Sequence, residues 1–313
     1  MDPICHTLTG AALGCTGLEK RSGFGRSTLI IGANLPDIDA VTYVLDGVES
    51  LAIRRGITHG LPAVIVLPLL LAVAMKIAAM LGTRRQQPQN VRFRQLLLLS
   101  LIAVATHPVL DFLNNYGMRW LMPFVDEWTY GDTLFIIDPL LWLILLSGVA
   151  FAARMKTKHP AWWRQPAAIA LAVTAAYILL NAAGTIVARE ATMAALQDNP
   201  PQRLMTSPVF LRPFERRLVL QYEGEYRVGA VRLLPFPSVD VEASVIPRGA
   251  PRDLERARKT IDGRIFLHWA RFPFTESAIA GDRRAIRIMD ARYVREWEEE
   301  DFAAVQIELP RHP

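Results

Sequence analysis

Histidine and aspartate side chains lie in or beside the long apolar segments of the first part of the chain. His107 and Asp111 are four residues apart, which places them on one face of a helix where both can bind the same ion. Asp37 and Asp39 follow Pro36, which disfavours further helix, so that both carboxylates can turn toward one centre. A carboxylate within an apolar span is unfavourable without a partner. The spacing therefore predicts a metal site.

Seven such residues are predicted to lie at one face of a membrane. They are His6, Asp37, Asp39, His59, His107, Asp111 and Asp138. Histidine nitrogen and carboxylate oxygen form a mixed ligand set that suits zinc and tolerates manganese or iron. We expect zinc, with one to three ions bound. Three of the residues, Asp37, Asp39 and His107, are predicted to be catalytic as well as metal-binding.

Each of these residues also has an ordinary structural explanation when it is considered alone. A single aspartate at the end of a helix, such as Asp37, usually caps or turns the chain, and a lone loop histidine such as His59 is more often structural. His159, His268 and His312 lie in a basic loop or in the C-terminal tail, and we predict that they are not ligands. The metal-site prediction depends on the convergence of the whole set.

The elements that must position this set are predicted to be membrane-spanning helices. Hydrophobic residues make up 51% of the 313 residues, and charged residues 21%. A transmembrane helix needs roughly 20 apolar residues. Segments of that kind lie at residues 61–82, 95–113, 133–154 and 167–187, and two shorter apolar segments precede them at 4–18 and 27–35. The shorter pair can form a helical hairpin within the bundle or a re-entrant pair.

Basic residues in the connecting loops predict the orientation of the spans. The loops at 19–26, 83–94 and 154–166 contain eleven lysines and arginines, whereas those at 36–60 and 114–132 contain three. Loops with an excess of basic residues stay in the cytoplasm. The N-terminus, the predicted metal site and the C-terminal tail are therefore expected on the outer side.

The tail beyond the last span is charged and alternates in a strand-like pattern. Strands are predicted at 217–221, 227–233, 239–245, 264–269, 285–289 and 303–308. The predicted fold is therefore mainly α, with a helical membrane domain at 1–188 that holds the metal site and a small β-rich domain at 189–313. The net charge of +5 is spread over loops without a clustered basic face, which argues against nucleic-acid binding.

Four short motifs among these residues carry a resemblance to a known family. They are His6-x-x-x-Gly10, Asn34-Leu35-Pro36-Asp37-Ile38-Asp39, Arg55-Gly56-Ile57-Thr58-His59 and His107-x-x-x-Asp111. Over residues 1 to about 190, the chain resembles the YdjM-type family of inner-membrane metal-dependent hydrolases, which is distantly similar to zinc-dependent phospholipase C and to the zinc single-strand nucleases. The resemblance implies that the ligands are His6, Asp37, Asp39, His59, His107 and Asp111. The chain departs from the family at Arg54 and Gly60, where a histidine and a serine are often found.

The resemblance and the residues together predict a membrane-bound hydrolase of a bacterial-type inner membrane that cleaves an ester or phosphoester. A lipid headgroup is the simplest substrate, because the site opens at headgroup depth, and Arg54, Arg55 and Arg119 are expected to bind its anionic group. The expected partners are membrane lipids, and the sequence does not identify protein partners. The alternative is a transporter or a metal-binding scaffold. A transporter would show repeated halves and charges spread through the membrane depth, and the sequence shows neither pattern.

The orientation can be tested with alkaline phosphatase fusions in a bacterial host. Because basic residues favour the cytoplasm by eleven to three, a fusion after residue 190 should be active and one after residue 88 inactive. The reverse pattern would contradict the predicted orientation and the placement of the metal site on the outer side.

Overall fold

The structure is a computed structural model that describes residues 1–44, 48–81, 90–280, 283–294 and 303–308. It consists of two compact units, one formed by Met1–Ala40 with Arg55–Ala182 and the other by Val41–Arg54 with Ala183–Pro313. The first unit is helical, and the described strands longer than single bridges belong to the second. The mainly α fold with a β-containing C-terminal part is confirmed. The division at 182–183 lies close to the predicted boundary at 188–189, and the 41–54 segment groups with the second unit.

Nine α-helices occur in the described residues. They are α1 (Pro3–Cys15), α2 (Gly25–Asn34), α3 (Glu49–Ile53), α4 (Leu61–Leu81), α5 (Phe93–Phe112), α6 (Pro139–Lys158), α7 (Gln165–Ala195), α8 (Pro251–Ala257) and α9 (Ile261–Trp269). Short 3-10 helices occupy Leu18–Arg21 and Leu35–Val44. By length and composition, α4, α5, α6 and α7 can each cross a membrane, which confirms the four predicted spans. Part of the predicted 83–94 loop, up to residue 89, lies outside the described residues.

Two predictions about local structure near the site are wrong. The third span begins at Pro139 and not near residue 133, because the Asp138 carboxylate accepts hydrogen bonds from the first backbone N–H groups of α6, and Pro139 suits the first helical position. The residues around Asp37 were expected to be non-helical, yet they form the 3-10 helix Leu35–Val44, which continues directly from α2. Pro36 lies in the first turn of this 3-10 helix.

Close packing of α1 and α2 brings the site residues of the first unit toward α5. A Cβ atom on Gly10 of α1 would lie 2.6 Å from the carbonyl oxygen of Leu29 on α2. On its other side, α2 packs on α5 through a buried cluster that contains Leu29, Ala33, Leu99 and Ala103. The two short predicted segments therefore form a helical pair against the membrane-spanning helices, with α1 also packed against α6.

The second unit contains two antiparallel sheets. The first has the order β1 (Arg203–Val209), β2 (Arg212–Gln221), β3 (Glu225–Arg232) and β4 (Ser238–Pro247). The second has the order β5 (Pro273–Ala280), β6 (Arg283–Asp290) and β7 (Ala304–Glu308). The helices α8 and α9 lie between β4 and β5 along the chain.

One predicted strand in this unit is a helix, and two strands of the structure were not predicted. The strand predicted at 264–269 is the helix α9, which begins where the Thr260 hydroxyl accepts a hydrogen bond from the backbone N–H of Gly263 and which buries Phe266 and Trp269. The strand β1 was not predicted, because its residues 204–208 are all buried and do not alternate. The strand β5 was also missed, since Glu276, Ser277 and Ala278 interrupt the run of large apolar residues.

The packing of α1 on α2 can be tested with two glycine variants of the same helix. Gly10→Ala should lower the midpoint of thermal unfolding in detergent, because its Cβ atom would overlap the Leu29 backbone and overpacking costs about 1–3 kcal/mol. Gly14→Ala is the matched control, since the nearest atom to its Cβ would be 3.6 Å away and belongs to a side chain. Both midpoints can be read with a thiol-reactive dye, because Cys5 and Cys15 are buried in the fold. Equal midpoints for the two variants would contradict the close helix contact.

Candidate metal centre

The first unit gathers the six residues that the family resemblance implies as ligands. They are His6 on α1, Asp37 and Asp39 on the 3-10 helix after α2, His59 just before α4, and His107 and Asp111 on α5. Five of the six are buried, and Asp37 retains 14% side-chain exposure. The site is therefore accessible to solvent on the side of Asp37.

Four of these residues each offer one donor atom to a common centre. The donors of Asp37, His59, His107 and Asp111 all lie within 4.8 Å of one another. The two histidine Nε2 atoms are 3.1 Å apart. Asp37 Oδ1 lies 3.8 and 3.7 Å from them, and Asp111 Oδ2 lies 3.5 and 3.8 Å from them. Tetrahedral zinc with bonds near 2.1 Å spaces its donors about 3.4 Å apart, so the four donors fit one ion.

Hydrogen bonds on the far side of each imidazole set its tautomer. Nδ1 of His107 is 2.6 Å from the carbonyl oxygen of Ala33, which can only accept a hydrogen bond. Nδ1 of His59 is 2.9 Å from the Thr58 hydroxyl, and that hydroxyl donates to Asp39. Both Nδ1 atoms therefore act as donors, and both Nε2 atoms present a lone pair to the centre.

This arrangement requires a positive species at the centre. Two lone pairs directed at each other across 3.1 Å repel. Asp111 Oδ2 is buried and forms an ion pair with Arg55 Nε at 2.9 Å. A carboxylate oxygen has a further lone pair, which can bind a cation. Burial lowers the pKa of His59, so that its ring is neutral near pH 7 and its lone pair is available to a cation. The donor set therefore suits a divalent ion such as zinc.

His6 lies beside these four donors and contacts two of the residues. Its ring stacks on His107 with centroids 3.7 Å apart, and its Nε2 is 3.2 Å from Asp111 Oδ1. The amino group of Met1 also contacts Asp111 Oδ1. Burial lowers the pKa of His6, so this ring too is neutral near pH 7. His6 thus borders the centre, and its role as a ligand stays a prediction.

The two remaining predicted ligands have other contacts. Asp39 Oδ2 accepts hydrogen bonds from the backbone N–H of Arg55 at 2.8 Å and from Thr58, and it lies 3.4 Å from Nδ1 of His59. It is placed to orient the His59 ring from the side away from the centre. Asp138 is not among the four donors either. Its carboxylate caps α6 and accepts a hydrogen bond from the Tyr177 hydroxyl at 2.9 Å.

The arginines predicted to bind substrate are buried. The Nε atom of Arg55 is 2.9 Å from Asp111 Oδ2, and its Nη1 donates to Asn114 and to the Gly117 carbonyl. Its positive charge therefore adjoins the centre. Arg119 lies over the Trp128 ring and donates to Asp126 at 2.9 Å.

The third predicted arginine, Arg54, belongs to the second unit, where it packs on the Tyr43 ring. A substrate contact by Arg54, Arg55 or Arg119 stays a prediction.

The sequence interpretation did not identify three groups that the site uses. Thr58 and Asn114 are polar residues beside the predicted ligands, and their position in Thr58-His59 and Asp111-x-x-Asn114 was a usable signal. The Ala33 carbonyl, which orients His107, has no signal in the sequence, because any residue type can provide a backbone oxygen.

Comparisons with known proteins agree with the location of the site. A family model described as YdjM inner membrane protein matches residues 1–187, which include all the predicted metal ligands. Uncharacterized protein YfhP of Bacillus subtilis (strain 168) is 27% identical over 158 residues, which amount to 48% of this chain and 46% of YfhP. The chain therefore matches about half the length of this relative. No solved structure matches the chain.

Metal content of the purified protein tests the centre directly. The chain in detergent should retain zinc after dialysis, measured by elemental analysis, and His107→Ala should lose it because one of four donors is removed. The matched control is His159→Ala, since His159 terminates α6 and is not in the group. Asp39→Asn should still bind zinc but about 10–100-fold more weakly, as expected for a residue that orients a ligand. Equal zinc content in the His107 and His159 variants would rule out the site described here.

Proposed function

The chain belongs to the YdjM inner membrane protein family, and we propose that it is a metal-dependent membrane hydrolase that cleaves an ester or phosphoester. The observation that carries the proposal is the group of Asp37, His59, His107 and Asp111, whose donors lie within 4.8 Å of one another. Three of these residues are buried and the fourth, Asp37, is partly exposed, so the centre is accessible from one side. A catalytic zinc site keeps one coordination position for water or substrate, and in our proposal that position is the one on the exposed side of the group, at Asp37.

The chain's own residues would hold and tune the centre in distinct ways. A divalent ion held there would supply Lewis acidity and lower the pKa of a water molecule. His59 and His107 would bind through Nε2, because the Asp39–Thr58 pair and the Ala33 carbonyl take up their Nδ1 atoms. Asp111 is a charged donor that Arg55 keeps in place.

Asp37 is the member of the group best placed to meet substrate. Its side chain is 14% exposed, whereas the side chains of His59 and His107 are fully buried. A substrate would therefore approach past Asp37, and we propose that this carboxylate accepts the proton released as water attacks. The leaving group would depart by the same route.

A lipid-derived substrate is supported by the depth of the centre. His59 lies two residues before α4, which can cross a membrane, so the centre lies at one end of a span. The backbone N–H of Leu61 donates to the Trp120 carbonyl at 2.9 Å, which holds the loop after α5 at the same level. That loop exposes Leu121, Phe124 and Val125. Exposed apolar side chains at the end of a span favour the membrane interface, where lipid headgroups lie.

We further propose that the centre and the C-terminal part lie on the outer side of a bacterial-type inner membrane. The support is the excess of basic residues in the alternate loops, eleven against three. The anionic group of such a substrate would meet a centre beside the buried Arg55 guanidinium, which is 2.9 Å from Asp111. Charge of this kind stabilises a phosphoryl oxygen.

A substrate screen with matched variants tests the proposal. The zinc-loaded protein should release product from at least one member of a panel of phosphoesters and lipid esters in mixed micelles. His107→Ala and Asp111→Asn should reduce the rate at least about 100-fold, because each removes a donor of the centre. His159→Ala and His268→Ala should remain near the parent rate, since neither residue belongs to the group.

The same proteins distinguish the hydrolase from the transporter alternative. In sealed vesicles, a transporter would carry metal ions or protons across the bilayer, and its flux would disappear with His107→Ala. Metal-dependent flux together with no product from any substrate would overturn the hydrolase proposal. Product formation without flux would support it.

A further inference from the structure

One end of the four-stranded sheet in the second unit exposes large apolar side chains. The β1–β2 turn and the β3–β4 loop meet at this end, because Glu215 of β2 pairs with Arg232 of β3, and Arg232 pairs with Ser238 of β4. The exposed side chains are Phe210, Leu211, Phe214, Leu234 and Phe236, which we call the apolar tip. Phe236 is 81% exposed. Contiguous exposed apolar surface of this kind marks an interaction site.

Contacts within the second unit show how the four-stranded sheet is aligned with the C-terminal end of α7. The Thr206 hydroxyl donates to the Thr185 carbonyl at 3.2 Å. A Cβ atom on Gly184 would lie 2.7 Å from the Arg216 guanidinium and 2.9 Å from the side chain of Leu233.

At the opposite end of β2, the Tyr222 hydroxyl donates to the carbonyl of Asn199, which follows α7. These contacts pair Tyr222 with Asn199 and Arg216 with Gly184. Going backward along the chain, β2 and the end of α7 therefore run in the same direction. The apolar tip, which lies beyond Arg216 on β2, therefore lies beyond the Gly184 end of the part of α7 that belongs to this unit.

The membrane boundary on α7 can be located from its charges. Residues 165–188 contain no charged side chain, and Arg189 and Glu190 are the first. With 31 residues, α7 extends about 46 Å, longer than the roughly 30 Å hydrocarbon core. Ile186 and Val187 are exposed and apolar. Gly184 therefore lies on the apolar side of the first charges, and the apolar tip lies farther to that side.

We propose that the apolar tip inserts into the lipid bilayer, at the boundary between headgroups and acyl chains of the leaflet from which α7 emerges. The occupant is phospholipid, because the exposed Ile186 and Val187 continue the apolar surface of a helix that can span the membrane. Arg212 lies at the same end, where it pairs with Glu215 at 3.2 Å, and its side chain is 66% exposed and therefore accessible to lipid phosphates. The second unit is then a membrane-seated domain. This inference does not depend on the hydrolase activity of the first unit.

Depth-dependent quenching of a fluorophore tests the insertion. Phe236→Cys and Glu223→Cys would be labelled with an environment-sensitive dye and reconstituted into vesicles of phosphatidylethanolamine and phosphatidylglycerol. Glu223 is the matched control, because it is exposed in the β2–β3 turn at the other end of the same sheet. The parent chain serves as the labelling blank, since Cys5 and Cys15 are both buried.

The expected result is a clear difference between the two positions. The dye at position 236 should emit at shorter wavelength, lose fluorescence to lipids with a nitroxide near the start of the acyl chain, and resist aqueous iodide. The dye at position 223 should emit at longer wavelength, should not be quenched by the lipid nitroxide, and should be quenched by aqueous iodide. Equal iodide quenching at both positions would overturn the proposal. A second result would also overturn it: the dye at position 236 is protected from iodide, its fluorescence is not quenched by lipid nitroxides, and the protection disappears when the protein is diluted into more lipid. That result would indicate that a second copy of the chain covers the tip.

Discussion

The constraint on which the first unit depends is the burial of Asp111 on a helix that can cross a membrane. A carboxylate there is tolerated only with compensating partners, and the structure supplies them from distant parts of the chain. Arg55 approaches one oxygen, and His6 contacts the other. The imidazoles of His59 and His107 lie within 4 Å of the same carboxylate. α1 and the segment before α4 are positioned so that they bring these partners to the Asp111 carboxylate.

The same requirement explains why small residues and backbone groups matter in this unit. His107 can direct Nε2 to the centre only if its Nδ1 has an acceptor, and the Ala33 carbonyl reaches it because α2 packs directly on α5. Gly10 permits α1 to approach α2 closely enough for His6 to stack on His107. The precision of the centre therefore depends on helix packing several residues away from any donor.

The sequence predicted the spans, the family and the residues that gather at the centre, since these depend on apolar length and on spacing along one helix. It did not predict which carboxylates face the centre. Asp138 was predicted as a ligand together with Asp111, yet it begins α6 as a cap, because the loop before it extends farther than hydropathy indicated. Asp39 lies two residues after Asp37 and contacts the opposite side of the His59 ring. Such differences depend on the pitch of a 3-10 helix and on tertiary contacts, which residue types do not encode locally.

Charge balance bears on how many ions the centre holds. Asp37 and Asp111 offer donors, Asp39 adjoins His59, and Arg55 is a permanent cation beside Asp111. Burial lowers the pKa of the Met1 amino group, which therefore adds little positive charge near pH 7. Three carboxylates and one guanidinium leave about two negative charges, which a single divalent ion neutralises. A second ion would leave an excess of positive charge in a buried environment, so charge balance favours one ion over the two or three that the sequence also allowed.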